Sequence, residues 1–131
     1  MTEENKLTGM VEPSYVYRAV CVSCYDADTI TVDIDCGFGV WLHKQKIRFY
    51  GINAPEVRGA EREQGLIARD ALRAMLPMGK PLVLATKRDK KGKYGRWVAE
   101  VYFQSFANPD GPMISANETL VARGLAKRAS Y

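Results

Sequence analysis

Asp26-Ala27-Asp28-Thr29-Ile30-Thr31-Val32-Asp33-Ile34-Asp35 is the stretch that decides the fold. From Thr29 it alternates, with Ile30, Val32 and Ile34 on one face and Thr31, Asp33 and Asp35 on the other. A period of two marks a strand with one face buried. Before it, Tyr15 to Cys24 is rich in β-branched and aromatic residues: Tyr15, Val16, Tyr17, Val20 and Val22. Such residues favour strands. Two strands joined by the tight turn at Asp26-Ala27-Asp28 make an antiparallel hairpin.

Outward from the hairpin, Cys36-Gly37-Phe38-Gly39 is a glycine-punctuated turn and Gln45 to Tyr50 reads as a third strand. Between Gly59 and Leu76 the period changes. Leu66, Ile67, Ala71, Leu72, Met75 and Leu76 recur every three to five residues among Arg62, Glu63, Arg69, Asp70 and Arg73. This pattern predicts an amphipathic helix, stopped by Pro77 and Gly79. Pro81 to Thr86 and Trp97 to Phe103 read as the fourth and fifth strands. Ser115-x-x-Glu118 opens a short helix through a capping box, and Gly124 closes it. Five short strands with a helix after the third match the OB-fold, a small Greek-key barrel. The expected class is α+β, mainly β, with a second short helix near the C-terminus.

Composition agrees with one folding unit. The chain has 131 residues, 47% hydrophobic and 26% charged, with 19 Lys+Arg against 15 Asp+Glu and a formal charge of +4. That length suits a single domain, and that apolar share excludes a disordered tail. Residues 1–14 are polar and expected to form a flexible arm, with residues 15–131 as the domain. No apolar run reaches the roughly 20 residues of a membrane-spanning helix. The polar start carries no export signal, and the three cysteines suit reduced thiols, so a cytoplasmic location is expected unless a signal has been removed. Cys21 and Cys24 form a C-x-x-C pair, but an offset of three on a strand points them to opposite faces, which weighs against zinc or redox chemistry.

Three clusters carry candidate chemistry. Asp26-Ala27-Asp28-Thr29 offers hard oxygen ligands, although aspartates also favour turns for their own sake. Arg48-Phe49-Tyr50-Gly51-Ile52-Asn53-Ala54-Pro55-Glu56 joins a phosphate-binding arginine to a carboxylate eight residues later, or holds an ordinary surface pair. Lys87 to Arg96 packs six cations and one acid into ten residues with Tyr94 among them. That suits a phosphate backbone with base stacking, or a solvated hairpin tip. Lys127 and Arg128 read as a solvated face.

Together these motifs resemble the staphylococcal-nuclease-like (thermonuclease) family, from Tyr17 to Ala126. The matching text is Asp26 to Thr29, Arg48 to Glu56, Lys93-Tyr94-Gly95-Arg96 and Leu120-Val121-Ala122-Arg123-Gly124-Leu125-Ala126. The resemblance implies an OB-fold barrel and Ca²⁺-dependent endonucleolytic hydrolysis of DNA and RNA, preferring single-stranded or frayed substrate. It implies Asp28, Asn53 and the Ala54 backbone carbonyl as Ca²⁺ ligands. It implies Glu56 as the carboxylate that activates water, and Arg48 and Arg96 as the phosphate-binding guanidiniums. Tyr94, with Lys90, Lys91 and Lys93, falls on the nucleic-acid side. Asn53 stands where the family pattern has Asp, which removes one negative charge from the cation site. Better-known members also carry a further C-terminal helix beyond the point where this chain stops, so a minimal version is expected, monomeric or weakly dimeric. The alternative is a nucleic-acid- or protein-binding OB module with a degenerate site. Asp28, Arg48, Glu56 and Arg96 all being present favours the enzyme.

Overall fold

The computed structural model describes residues 13–87 and 97–129. The expected arm lies, up to residue 12, outside the described residues. The elements run β1 Val16–Asp26, β2 Thr29–Asp35, β3 Trp41–Phe49, β4 Ile52–Asn53, a 3₁₀ turn Gly59–Glu61, α1 Arg62–Met75, β5 Pro81–Lys87, β6 Trp97–Phe103, β7 Ile114–Ser115, α2 Ala116–Ala122 and β8 Lys127–Arg128.

Five strands close a barrel. β1 pairs antiparallel with β2 and β5, β2 with β3, and β5 with β6. A parallel pairing of β3 with β6, Ile47 opposite Trp97 and Arg48 opposite Val98, joins the two ends. This is the OB-fold expected from the strand order. Alternation fills the interior: Ile30, Val32, Ile47, Phe49, Leu84, Ala99 and Val101 are each fully buried. Burying a side chain of Ile or Phe size contributes roughly 1.5–3 kcal/mol, so this layer dominates the favourable side of folding.

α1 lays Gly65, Ala68 and Leu72 against the barrel, at the three-to-four spacing of a helix face. It ends where Leu76 N–H donates to Leu72 C=O, ahead of Pro77. α2 begins as the capping box predicts, with the Ser115 hydroxyl accepting from Glu118 N–H at 3.2 Å. Asn117, buried on α2, accepts from Val101 N–H at 3.0 Å and donates to Tyr50 C=O at 2.8 Å. It ties the helix both to β6 and to the turn leading into β4.

Two expectations are corrected. β3 starts at Trp41 rather than Gln45, because its first half is exposed and Lys44 sits at φ 54, which breaks the alternation. Cys21 and Cys24 do not point to opposite faces. Both are buried, and both thiols donate to Leu76 C=O, at 3.3 and 3.6 Å. The cause is a bulge: the β1–β2 register shifts between Cys21 and Ser23 and again between Cys24 and Asp26, and an extra residue resets the facing of those after it. Both thiols are free.

Candidate active-site cleft

The end of β1 and start of β2, the end of β3, β4 with the loop after it, Glu61 of the 3₁₀ turn and Arg73 near the end of α1 surround a cleft of about 950 Å³. At its floor, the two-residue turn Ala27-Asp28 is held by Asp26, whose Oδ1 accepts from Asp28 N–H at 3.1 Å. The turn-stabilising role of aspartate is therefore real, and it falls to Asp26. Asp28 is turned to other work. Its Oδ1 accepts from the Thr29 hydroxyl at 3.1 Å and its Oδ2 from Ala54 N–H at 2.8 Å.

Arg48 leaves β3 beside this carboxylate. Its Nη1 stands 3.4 Å from Asp28 Oδ2 and donates to Phe49 C=O at 3.1 Å. Its Nη2 donates to Asn53 Oδ1. One guanidinium thus gathers Asp28 and Asn53, 25 positions apart in the chain. Asn53 is held in place by β4, which pairs with β8 opposite Lys127. Glu56 lines the same cleft with Glu61, Lys46 and Arg73. Arg73 is anchored from α1 by donating Nε and Nη2 to Cys24 C=O at 3.2 and 3.0 Å.

The electrostatics are crowded. Burial, then the hydrogen-bonded and charged Asp28 and the nearby Glu56, push the Asp26 carboxyl up to about 7. Carboxyls crowded together in this way resist ionising at the same time. The oxygens that converge on Arg48, the Asp28 carboxylate and the Asn53 carbonyl, are hard donors suited to Ca²⁺ or Mg²⁺ rather than to a soft metal. Among the described residues no three His, Cys, Asp or Glu side chains are grouped to hold a metal, so a cation here would have to draw on neutral oxygens besides Asp28, of which the Asn53 carbonyl stands nearest through Arg48.

Asp28, Arg48, Asn53, Ala54 and Glu56 all line this one cleft. Arg96, Tyr94, Lys93, Lys91 and Lys90 lie outside the described residues. Of the basic cluster, the described Lys87 places its ammonium 5.6 Å from the centre of the Tyr50 ring. Lys127 and Arg128 form β8, with Arg128 paired to Glu118 at 2.7 Å. Sequence reading missed Lys46, Glu61 and Arg73 as cleft residues. Lys46 had a signal, two positions before Arg48 on the same strand face; Glu61 and Arg73 reach the cleft only through the docking of α1.

A closed five-stranded barrel, a helix after its third strand and a cleft joining arginine to acids define an OB-fold protein with a charged cleft at one end of its first hairpin. The family model for staphylococcal nuclease homologues matches residues 46–131, about two thirds of the chain. The chain belongs to that family, one of nuclease-like and nucleic-acid-binding modules. No curated protein matches it. The family match takes in Arg48, Asn53, Ala54, Glu56 and Arg96 but starts after Asp28, which is linked to the matched part by its bonds to Ala54 and Arg48. Among the described residues no helix is long and apolar enough to cross a membrane.

Proposed function

We propose that the protein is a Ca²⁺-dependent endonuclease that hydrolyses phosphodiester bonds of DNA and RNA, with single-stranded or frayed strands as the preferred substrate. The observation that supports this best is Arg48, which holds Asp28 and Asn53 together in the cleft that Glu56 lines. Such a cleft has a part for each need of the reaction.

Hydrolysis adds water to phosphorus and spreads negative charge over its oxygens. Asp28, Asn53 and the Ala54 carbonyl are the residues that would hold Ca²⁺, which when bound neutralises phosphate charge and lowers the pKa of a water beside it. Glu56 takes the proton of the attacking water. Arg48, whose guanidinium bonds Asn53 and Phe49 C=O in the cleft, turns part of its charge to the phosphate when a cation takes its place beside Asp28, and Arg96 supplies a second guanidinium; the loss of such a contact costs about 10²–10³ in rate. Lysine lacks the planar fork and is a poor replacement. Lys90, Lys91, Lys93 and Tyr94 bind the flanking strand, by charge and by stacking. The unit acts as a single domain over residues 15–131, cytoplasmic, as a monomer or weak dimer.

The test is incubation with single-stranded DNA in Ca²⁺ and in EDTA, with Glu56→Ala and Arg96→Ala as controls. Cleavage only with Ca²⁺, lost in both variants, is the expected result. Binding without cleavage in any metal favours the second reading, a binding module with a degenerate site, for which the missing charge at Asn53 is the specific argument.

A further inference from the structure

The backbone of Glu56 is gripped from two sides. Its N–H donates to Glu61 Oε2 at 3.0 Å. Its carbonyl faces Gly65 so closely that a methyl group at residue 65 would overlap the carbonyl oxygen. That methyl carbon would also stand 2.5 Å from the Glu56 carbonyl carbon and 2.9 Å from the Val57 nitrogen. Glycine is the poorest helix former after proline, yet Gly65 lies within α1, where it is buried. Its presence there is explained by the closeness of the loop.

We propose that Gly65 and Glu61 are positioning residues for Glu56, fixing its peptide so that the side chain meets the attacking water at a constant angle. The catalytic consequence rests on the nuclease reading; the grip itself does not. Glu56 sits between β4 and the 3₁₀ turn, in a stretch without regular structure and with its own side chain exposed. A general base on such a stretch swings unless something outside holds it, and misplacement by about 1 Å costs on the order of 10² in rate. α1 is the outside support, since Ala68 and Leu72 fix it in the core with no exposure. When a Cβ is forced between helix and loop, the loop is therefore the partner that moves.

Gly65→Ala is expected to keep its helix content, to lower kcat about 100-fold, and to leave KM and the half-saturating Ca²⁺ within about twofold. Glu61→Ala is expected to speed hydrogen exchange at the Glu56 amide several-fold and to lower kcat by about tenfold, a single hydrogen bond of roughly 1.4 kcal/mol. Glu61→Gln retains a carbonyl oxygen that accepts the same N–H, so it restores both readouts; a residue needed only for its charge would not be rescued. Wild-type kcat in Gly65→Ala, equal defects in Glu61→Ala and Glu61→Gln, or an unchanged Glu56 amide in Glu61→Ala would each overturn the proposal. If Gly65→Ala fails to fold, the two Glu61 variants decide. If the wild-type chain does not cleave DNA in Ca²⁺, the nuclease reading falls, and the Glu56 amide exchange rates then judge the grip without any turnover.

Discussion

Arg48 Nη1 lies 3.4 Å from Asp28 Oδ2, and the two side chains are only 12% and 11% exposed. The pair is sheltered enough to matter for stability. Breaking a buried pair on one side costs about 3–5 kcal/mol, and water entering the open cleft reduces this, so Arg48→Ala is expected to lose about 2 kcal/mol. Ca²⁺ should return part of the loss by replacing the guanidinium beside Asp28. Urea denaturation with and without Ca²⁺ checks this. A deficit that Ca²⁺ leaves untouched would remove Asp28 from the cation site.

Asn53→Asp adds one formal negative charge within reach of Arg48 and Asp28. Ca²⁺ affinity follows ligand charge, and a gain of about 1.4 kcal/mol is tenfold. The half-saturating Ca²⁺ for activity should fall by about that factor in the variant. Equal half-saturation in the two proteins would sink the idea that the natural chain needs more Ca²⁺ for want of this charge.

Asp26 makes stability depend on pH in a stated direction. Its carboxyl titrates at about 7 in the folded chain and near 3.9 when unfolded. Between those values the folded chain keeps a proton that the unfolded chain has released, so stability falls as pH rises through this window. The full loss is in place above pH 7. Asp26→Asn keeps an oxygen for Asp28 N–H and removes the charge. Metal-free denaturation at pH 5 and pH 8 should show a smaller difference in the variant than in wild type; an unchanged difference refutes the assignment.

Asn117 is 2% exposed, and its side-chain amide bonds backbone groups of β6 and of the turn before β4. Leucine there leaves the buried Val101 N–H unpaired, which costs about 1–3 kcal/mol, and removes the bond to Tyr50 C=O, worth about 1 kcal/mol. Asn117→Leu should therefore lower the urea midpoint by an amount worth about 2–4 kcal/mol. Because Tyr50 leads into β4, the same change should also weaken whatever depends on Asn53.

The five barrel strands were legible because each has one face in the core, and a buried face writes a period of two. β6, Trp97–Phe103, was read without error for that reason. The two-residue strands β4, β7 and β8 left no trace, since each exists only by pairing with a distant partner. Asp28, Asn53 and Glu56, which stand in the motifs that carry the family resemblance, line one cleft. Gly65 and Glu61 were not legible, because their importance comes from where α1 docks, and nothing local in the sequence encodes that approach. The facing of Cys21 and Cys24 failed at the bulge, which shifts the period without changing the composition.

The parallel seam between β3 and β6 sets a timetable. Ile47 and Trp97 are fifty positions apart in the chain, and joining segments so distant is the slow part of assembling a small domain. Arg48 lies in that seam opposite Val98, and Tyr50 N–H donates to Ala99 C=O at 2.9 Å just beyond it. The local pairing of β3 with β2 already sets Arg48 opposite Thr29, beside the aspartates, so the arginine and its acids can meet in the meander alone. Closing the seam then holds the other edge of β3, and the cleft gains its stiffness from the shut barrel.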